Sequence, residues 1–358
     1  MIESHGLTPI EALGEFGLID RITQKFPDPR PELRLGIGDD AALIRSGMGD
    51  LQVITTDLLL EGVHFDLAYA PLRHLGYKSV AVNVSDVVAM NAEPYGITVS
   101  IGMSNRFPVE ALEELYGGIR LACEAYGINL LGGDTSSSKQ GLILSVSAYG
   151  TVKESEVALR SGATEKELIC VSGDLGAAYA GYQVLDREKA VFVDNPEMQP
   201  DLNDFDYVVG RQLKPEARLD VIRLLRDKGV TPKSMIDISD GLANELHHLA
   251  RSSKVGMMIY SDKLPIDHQT VSVAEDFQIA ATTYALHGGE DYELLFTIPI
   301  DQFSLIQQER GISVIGHVTG EKGIVQMTLS SGEVVDLPAQ GWNHFSSEES
   351  TDSTESDA

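Results

Sequence analysis

The stretch Gly36-Ile37-Gly38-Asp39-Asp40-Ala41-Ala42 places two adjacent carboxylates on a glycine-rich turn. Similar acidic segments recur along the chain beside small residues: Thr55-Thr56-Asp57, Asn83-Val84-Ser85-Asp86, Gly132-Gly133-Asp134-Thr135, Asp237-Ile238-Ser239-Asp240-Gly241 and Gly288-Gly289-Glu290-Asp291. One such turn is ordinary loop chemistry, whereas several in one chain indicate a shared site for polyvalent cations. Hard oxygen ligands suit Mg²⁺, which usually bridges to substrate phosphates. The pattern therefore predicts a magnesium-dependent phosphoryl-transfer enzyme.

The same stretch, residues 36–42, also fits the turn G-x-G-x-x-A of a dinucleotide-binding fold. That fold requires an apolar strand before the turn and a helix after it. Here Asp39 and Asp40 occupy the loop, where they would repel a pyrophosphate, and residues 41–44 have the pattern of a strand. We therefore reject this interpretation. The chain also has neither a Walker A loop nor the protein-kinase motifs.

Composition limits the partners of this chain of 358 residues, which is long enough for two domains. It has 27 Lys and Arg against 54 Asp and Glu, a formal net charge of −27. The electrostatic field of this negative charge repels nucleic acid and anionic membranes, so we expect neither as a partner. It would also repel a nucleotide unless bound metal reverses the local sign of the charge.

Cysteine usage and hydropathy indicate the compartment. Cys123 and Cys170 lie in apolar surroundings, which is typical of buried small side chains, and their spacing fits neither a disulfide framework nor a zinc site. We find no basic region followed by an apolar run at the N-terminus, and no apolar window of membrane-spanning length. We therefore expect a cytoplasmic protein.

Alternating strand and helix patterns predict an α/β fold with two domains. We expect strands at 51–60, 96–103 and 142–152 with helices at 74–90 and 108–126, and a similar succession in the second half. We expect residues 61–65 to continue the first strand, Pro94 to end the helix at 74–90, and residues 270–284 to be one helix. Ser239 or Asp240 is expected to cap a helix, and residues 316–318 and 324–329 to form a hairpin. The predicted division is an extension (1–12), an N-terminal domain (13–152), a C-terminal α/β domain (153–345) and an acidic disordered tail (346–358).

Phosphoryl transfer requires that the negative charge of the phosphate oxygens be neutralised and that the nucleophile and the leaving group be held in line. It leaves little covalent work to the protein. Carboxylate-bound metal ions can supply both, so we expect no catalytic side chain. The metal candidates from pattern alone are Asp39, Asp40, Asp57, Asp86, Asp134, Asp237 and Asp240. Gly133 and Arg160 are candidates for triphosphate binding. Each acid also has a structural interpretation as a turn, cap or ion-pair residue, and the lone His64 fits a core histidine as well as a functional one.

Eight motifs together resemble the thiamine-monophosphate kinase family, over about residues 14–345. They are Gly-Ile-Gly-Asp-Asp-Ala (36–41), Thr-Thr-Asp (55–57) with Gly-Val-His-Phe (62–65), Tyr-Lys-Ser-Val-Ala-Val-Asn-Val-Ser-Asp (77–86), Gly-Gly-Asp-Thr (132–135), Arg-Ser-Gly-Ala (160–163), Ile-Asp-Ile-Ser-Asp-Gly-Leu (236–242), Gly-Gly-Glu-Asp-Tyr-Glu-Leu (288–294) and Gly-Trp-Asn-His-Phe (341–345). That family belongs to the aminoimidazole ribonucleotide synthetase superfamily, with selenophosphate synthetase and the hydrogenase-maturation protein HypE.

The resemblance implies a two-domain α/β protein whose N-terminal, mixed α/β domains pair in a homodimer with ATP near the interface. It implies direct in-line transfer of the ATP γ-phosphate to thiamine monophosphate, with several Mg²⁺ ions and no phosphoenzyme. By family position, the magnesium residues are Asp40, Thr55, Thr56, Asp57, Asp86, Asp134, Asp237 and Asp240. The nucleotide contacts are Tyr116, Gly133, Asp134, Arg160 and Ser239, and the substrate contacts are His64, Glu290 and Trp342.

Two alternatives stay open at this point. One is another ATP-dependent enzyme of the superfamily that acts on a different acceptor; the lack of a cysteine before Cys123 argues against selenophosphate synthetase. The other is a non-catalytic, acidic metal-binding protein. Such a protein would not need Arg160, Ser239 and the 132–134 segment together, and the EF-hand spacing is missing.

Overall fold

The structure, a computed structural model, describes residues 9–24, 26, 30–47 and 49–339. The described residues fall into two compact units, which divide between residues 30 and 31. The described part of the first contains a 3-10 turn, Ile10–Ala12, and helix α1 (Gly14–Thr23). Trp342 and the predicted acidic tail lie outside the described residues.

The second unit alternates helices and strands, and this confirms the predicted α/β class. Its helices are α2 (Leu72–Ala89), α3 (Val109–Tyr126), α4 (Ala177–Asp194), α5 (Asp206–Leu213), α6 (Leu219–Asp227), α7 (Leu242–Ser253), α8 (His268–Asp276), α9 (Ala281–His287) and α10 (Phe303–Ile306). Its strands are β1 (Leu33–Leu35), β2 (Ala42–Arg45), β3 (Asp50–Leu60), β4 (Glu93–Met103), β5 (Asn129–Ser137), β6 (Ile143–Lys153), β7 (Leu168–Ser172), β8 (Ser234–Asp237), β9 (Gly256–Tyr260), β10 (Leu294–Ile298), β11 (Ile312–Thr319), β12 (Val325–Thr328) and β13 (Val334–Asp336).

The first sheet has the strand order β1-β2-β3-β6-β4-β5 among the described residues. Strands β3 and β6 pair antiparallel over their whole length, from Asp50 opposite Lys153 to Leu60 opposite Ile143. Strand β5 pairs parallel with β4 and forms the edge. Alternate residues of β6 are buried, so one face of the sheet packs on helices and the other is more open.

Helix α2 is the centre of the second unit. Nearly every residue between Leu75 and Ala89 is buried, so this helix lacks the polar face of a surface helix. It packs closely on α3 because glycines occupy the crossing. A Cβ added at Gly76 would lie 2.0 Å from the Leu115 carbonyl oxygen, and one at Gly118 would lie 1.9 Å from that of Arg73. Helix α2 also contacts β8, α5 and α6 of the second half.

The second sheet has the strand order β13-β12-β9-β11-β7-β10-β8 among the described residues. Its pairs are antiparallel, apart from β12 with β9. Residues such as Ile169, Ile236 and Leu295 are fully buried in a core that α7 and α9 cover. None of the described helices is at once long and apolar enough to cross a membrane.

Several local predictions are wrong, and each error has a physical reason. Strand β3 ends at Leu60 and a turn at 62–64 follows it. Pro94 does not end α2; it lies in β4, opposite Gly150 of β6. The predicted helix at 270–284 is divided into α8 and α9. The predicted hairpin does not form, because β9 lies between β11 and β12 and pairs with both.

Candidate active site

Three carboxylates from distant parts of the chain meet where the two sheets approach each other. Asp40 lies just before β2, Asp86 lies on α2, and Asp237 is the last residue of β8. Each offers an oxygen atom, and these three atoms lie within 4.8 Å of one another. We call these three residues the acidic centre. The predicted convergence of the segments at 36–42, 83–86 and 237–241 on one place is thus observed.

Arg160 neutralises only part of this charge. Its Nη2 and Nε atoms donate to Asp40 Oδ1 at 2.6 and 3.1 Å, and its backbone N–H donates to both carboxylate oxygens of Asp39 at 3.2 Å. Burial and the charge of Asp40 raise the pKa of Asp39 to about 7. The other oxygen of Asp40, Oδ2, is buried and has no hydrogen-bond partner among the described residues. It is therefore an open ligand position.

The other two carboxylates each accept one short hydrogen bond from a hydroxyl group. Thr55 Oγ1 donates to Asp86 Oδ2 at 2.6 Å, and Ser85 Oγ donates to Asp237 Oδ2 at 2.5 Å. Burial, followed by the charges of neighbouring acids, raises the pKa of Asp86 well above its ordinary range and that of Asp237 to about 7. Burial likewise raises the pKa of Asp57 to about 6. The site thus holds more negative charge than the protein compensates.

This donor set fits Mg²⁺. The available ligands are hard carboxylate oxygens, which Mg²⁺ prefers, and Asp40 Oδ2 has a lone pair that nothing else uses. A buried carboxylate without a partner costs several kcal/mol, and a divalent cation would remove that cost.

Two predicted metal residues lie elsewhere. Thr55 and Thr56 are neighbours on β3, so their side chains face opposite sides of the sheet. The Thr56 hydroxyl donates to the Val146 carbonyl oxygen at 3.1 Å and accepts from Ser147 at the same distance. Asp134 is exposed on β5, the edge strand of the first sheet that lies three strands from β3. Neither side chain is one of the three carboxylates of the acidic centre, and their assignment as metal residues stays a prediction.

Of the predicted nucleotide contacts, Arg160 lies at the acidic centre. Gly133 lies within β5 rather than in the predicted turn, and it must be glycine because an added Cβ would lie 1.8 Å from the Val99 carbonyl oxygen. Ser239 lies in the loop after β8, and its carbonyl oxygen accepts from the Glu290 N–H at 2.7 Å. Tyr116 lies on α3 and packs partly buried against the core.

The loop after β8 differs from the prediction in one detail. Neither Ser239 nor Asp240 caps α7: the N-cap residue is Gly241, at φ 113°, and no side chain bonds the cap. The Asp240 N–H instead donates to Glu245 Oε1 at 3.1 Å. An added Cβ at Gly241 would lie 2.9 Å from the Leu286 carbonyl oxygen, so the close approach of the 286–290 segment sets this conformation.

Of the two described substrate candidates, His64 lines a small cleft, and Glu290 contacts two residues that line it. His64 lines the cleft, and its Nδ1 accepts from the Leu60 N–H at 3.1 Å. Glu290 Oε2 accepts from Lys78 Nζ at 2.9 Å and from Gln212 Nε2 at 2.7 Å, and both donors also line the cleft. The remaining lining residues are Phe65, Tyr69, Ala70, Leu75 and Leu213. An apolar cleft with a few polar groups is typical of a small-molecule site.

The backbone around Glu290 is strained. Gly289, Glu290 and Tyr292 have φ of +71°, +58° and +52°, in the left-handed region that non-glycine residues rarely adopt. Strain of this kind persists where surrounding contacts fix it, and it clusters at functional sites. Asp291 provides such contacts, because its buried carboxylate accepts from the Gly176 N–H at 2.7 Å at the start of α4.

Sequence reasoning missed Lys78 and Gln212. Lys78 is 4% exposed, in the middle of a helix whose polar residues Asn83 and Asp86 did attract attention. The same criterion, a costly polar residue in an apolar helix, would have found it. Gln212 has no such signal, because it lies near the end of α5, which the sequence pattern did not reveal.

Comparison with known proteins shows the family to which this chain belongs. The family described as AIR synthase related protein, N-terminal domain, matches residues 38–152, and the one described as AIR synthase related protein, C-terminal domain, matches residues 172–327. The thiamine-monophosphate kinase of Bacillus subtilis is 32% identical over 340 residues, covering 93% of this chain and 100% of the relative. That of Aquifex aeolicus is 34% identical, covering 94% and 99%.

A solved structure described as "AaThiL complexed with AMPPCP and TMP" superposes with a TM-score of 0.80. It is 32% identical and covers 95% of this chain and 100% of its own. The match thus extends over nearly the whole chain. Together with the two relatives, it shows that this chain belongs to the thiamine-monophosphate kinase family, within the AIR synthase related proteins.

Proposed function

We propose that this protein catalyses the ATP-dependent phosphorylation of thiamine monophosphate, which gives thiamine diphosphate and ADP. The observation that carries this is the acidic centre beside a small apolar cleft, in a chain whose relatives are thiamine-monophosphate kinases. AMPPCP is an analogue of ATP, so the related structure holds an analogue of the phosphate donor together with TMP, the acceptor. The alternative of a non-catalytic metal-binding protein leaves the cleft unexplained.

Asp40, Asp86 and Asp237 would hold Mg²⁺, with Asp57 near enough to share in the site. Bound there, Mg²⁺ neutralises the phosphate oxygens and stabilises charge on the attacking and leaving oxygens. More than one ion is in keeping with the number of carboxylates. We also retain Thr55, Thr56, Asp134 and Asp240 as metal ligands and Tyr116, Gly133, Arg160 and Ser239 as nucleotide contacts in the proposal.

The reaction is a direct displacement. An oxygen of the acceptor's phosphate forms a bond to the γ-phosphorus of ATP, the bond from that phosphorus to the β–γ bridging oxygen breaks, and ADP leaves with that electron pair. Arg160 contributes a fixed positive charge. Burial opposes its charged form, but the Asp40 carboxylate outweighs burial and raises the pKa of Arg160 above its ordinary value. Its geometry is preorganised by the bonds to Asp39 and Asp40.

We include a homodimer in the proposal. All of β5 is exposed, including Leu130 and Leu131 at 47% and 54%, and it forms an edge of the first sheet. An open edge with apolar side chains favours pairing with another chain. A second copy there would also lie beside Gly133 and Asp134, which fits nucleotide binding near the interface. The division at about residue 152 into two domains and a cytoplasmic location complete the proposal.

The direct test is ADP release from ATP and Mg²⁺ with three acceptors offered separately: thiamine monophosphate, thiamine and formylglycinamidine ribonucleotide. We expect turnover with thiamine monophosphate alone, with thiamine diphosphate formed in equal amount. Turnover only with the purine intermediate would assign the chain another reaction of the superfamily. Turnover that persists in EDTA would contradict the metal-assisted mechanism.

A further inference from the structure

In the side-chain amide of Gln212, the nitrogen is hydrogen-bonded and the oxygen is not. It is 7% exposed and lines the cleft beside His64. Its Nε2 donates to Glu290 Oε2 at 2.7 Å, which fixes the orientation of the amide. Its Oε1 is buried and has no hydrogen-bond partner among the described residues. An unpaired buried acceptor costs about 1–3 kcal/mol, and a ligand that donates an N–H would remove this cost.

Lys78 fixes the neighbouring carboxylate. Its ammonium group donates to Glu290 Oε2 at 2.9 Å and to the Gln212 carbonyl oxygen at 3.3 Å. Lys78 and Gln212 thus both bind the same oxygen of Glu290, so the other oxygen, Oε1, retains its capacity to accept. These bonds help to fix the strained backbone conformation of Glu290.

The rest of the cleft is mostly apolar. Phe65, Tyr69 and Leu75 contribute aromatic and aliphatic surface. A ring that enters such a cleft gains by burial, and polar groups at its end decide which ring binds. The buried acceptor without a partner at this end is the amide oxygen of Gln212, and the Glu290 carboxylate lies next to it. They recognise an N–H donor and oppose a carbonyl oxygen.

We propose that Gln212, with Glu290 held by Lys78, recognises the exocyclic amino group of the acceptor's aminopyrimidine ring and so determines specificity for an amino over an oxo ring. This proposal rests on the proposed function and names the group of the acceptor that the cleft recognises. A ring with an oxygen at that position would place its acceptor against the Gln212 amide oxygen, which would stay buried and unpaired. Sites built on such hydrogen bonds discriminate by about 10⁴-fold or more.

The experiment compares kcat/KM for thiamine monophosphate with that for its 4-oxo analogue, oxythiamine monophosphate. The wild-type protein should prefer the amino substrate by at least about 100-fold. Gln212→Met, which keeps the length of the side chain and removes the amide, should lose most of this preference. The loss should come from a lower kcat/KM for the amino substrate, by about 10- to 100-fold, and from little change for the oxo analogue.

Gln269→Met is the matched control. Gln269 lies on α8, outside the residues that line the cleft, and its Oε1 is likewise buried without a partner among the described residues. The ratio of the two kcat/KM values should stay at the wild-type level in this variant. A wild-type level of preference in Gln212→Met would overturn the proposal.

The wild-type protein alone also tests the inference, whatever the folding of the variants. Equal kcat/KM values for the two substrates would overturn the proposal that the amino group is recognised, and would leave the proposed kinase activity intact. Failure to phosphorylate either substrate would instead overturn the proposed function. The two failures are therefore distinguishable.

Discussion

Two buried charge clusters in this protein differ in how completely they are neutralised. In the acidic centre, Asp40 has a side chain that is 1% exposed and shares one arginine, Arg160, with neighbouring acids. In the second cluster, Glu293 is equally buried and binds two arginines. Arg211 Nη1 lies 3.0 Å from Glu293 Oε1, and Arg218 Nη1 lies 2.5 Å from Oε2. We call this group, with the Ser172 hydroxyl that also bonds Glu293, the Glu293 cluster.

The difference separates structural from functional burial of charge. The Glu293 cluster pairs its carboxylate fully, and Gly173 leaves room for it, since a Cβ there would lie 2.2 Å from Glu293 Oε1. The acidic centre has an unpaired oxygen and several carboxylates whose pKa values burial raises. A protein has no structural reason to keep such a deficit. Its presence therefore indicates an external cation.

The largest expected effect is on turnover. Asp86→Asn removes a ligand of the acidic centre and one buried negative charge. Changes to residues that only hold a metal ligand in place already cost about 10- to 100-fold, so we expect kcat to fall by more than about 100-fold on loss of a ligand. Without metal, the free energy of unfolding should be unchanged or higher, because the lost charge was unpaired. Steady-state kinetics and urea unfolding in EDTA measure the two quantities; near-normal turnover would contradict the shared metal site.

The converse substitution, Glu293→Gln, should act on stability. It leaves Arg211 and Arg218 without their buried counter-charge, which costs about 3–5 kcal/mol in the free energy of unfolding. The matched control is Glu93→Gln, because Glu93 also binds two arginines, Arg223 and Arg226, but is 32% exposed. There we expect a loss of no more than about 1 kcal/mol. Equal losses in urea unfolding would show that burial does not distinguish the two clusters.

A smaller effect sharpens the comparison. Adding Mg²⁺ at about 100 times its Kd should raise the free energy of unfolding of the wild-type protein by about 2.7 kcal/mol. Glu293→Gln should show the same increment, because its cluster does not bind the ion. Asp86→Asn should show much less. Thermal unfolding with Mg²⁺ and with EDTA provides the measurement, and an equal increment in all three proteins would refute the assignment of the ion to the acidic centre.

Much of the acidic centre could be predicted because its signal is local. Asp40, Asp86 and Asp237 each lie next to small or apolar residues, and a carboxylate in such surroundings is costly unless it has a function. The opposite orientations of Thr55 and Thr56 were also readable, since successive strand residues face opposite sides. The family positions nevertheless group both threonines; the Thr55 hydroxyl donates to Asp86, and the role of Thr56 stays a prediction.

Other features depend on contacts that no local pattern contains. The hairpin prediction for 316–318 and 324–329 failed because β9, which comes earlier in the chain, pairs between them. The glycines at 132–133 look like a turn, yet Gly133 serves a close strand contact with Val99. The bonds that Lys78 makes to Gln212 and Glu290 join residues more than 130 positions apart, so they could not be predicted from sequence spacing.

The burial of α2 has a consequence for how the chain folds. A helix without a polar face gains nothing from forming alone in water, since its stability must come from packing on all sides. For α2 those sides belong to β3, β6 and α3 of the first half and to β8, α5 and α6 of the second. The first half alone would therefore expose an apolar surface that contains Lys78 and Ser85. We expect the two halves to unfold in one cooperative transition rather than in two.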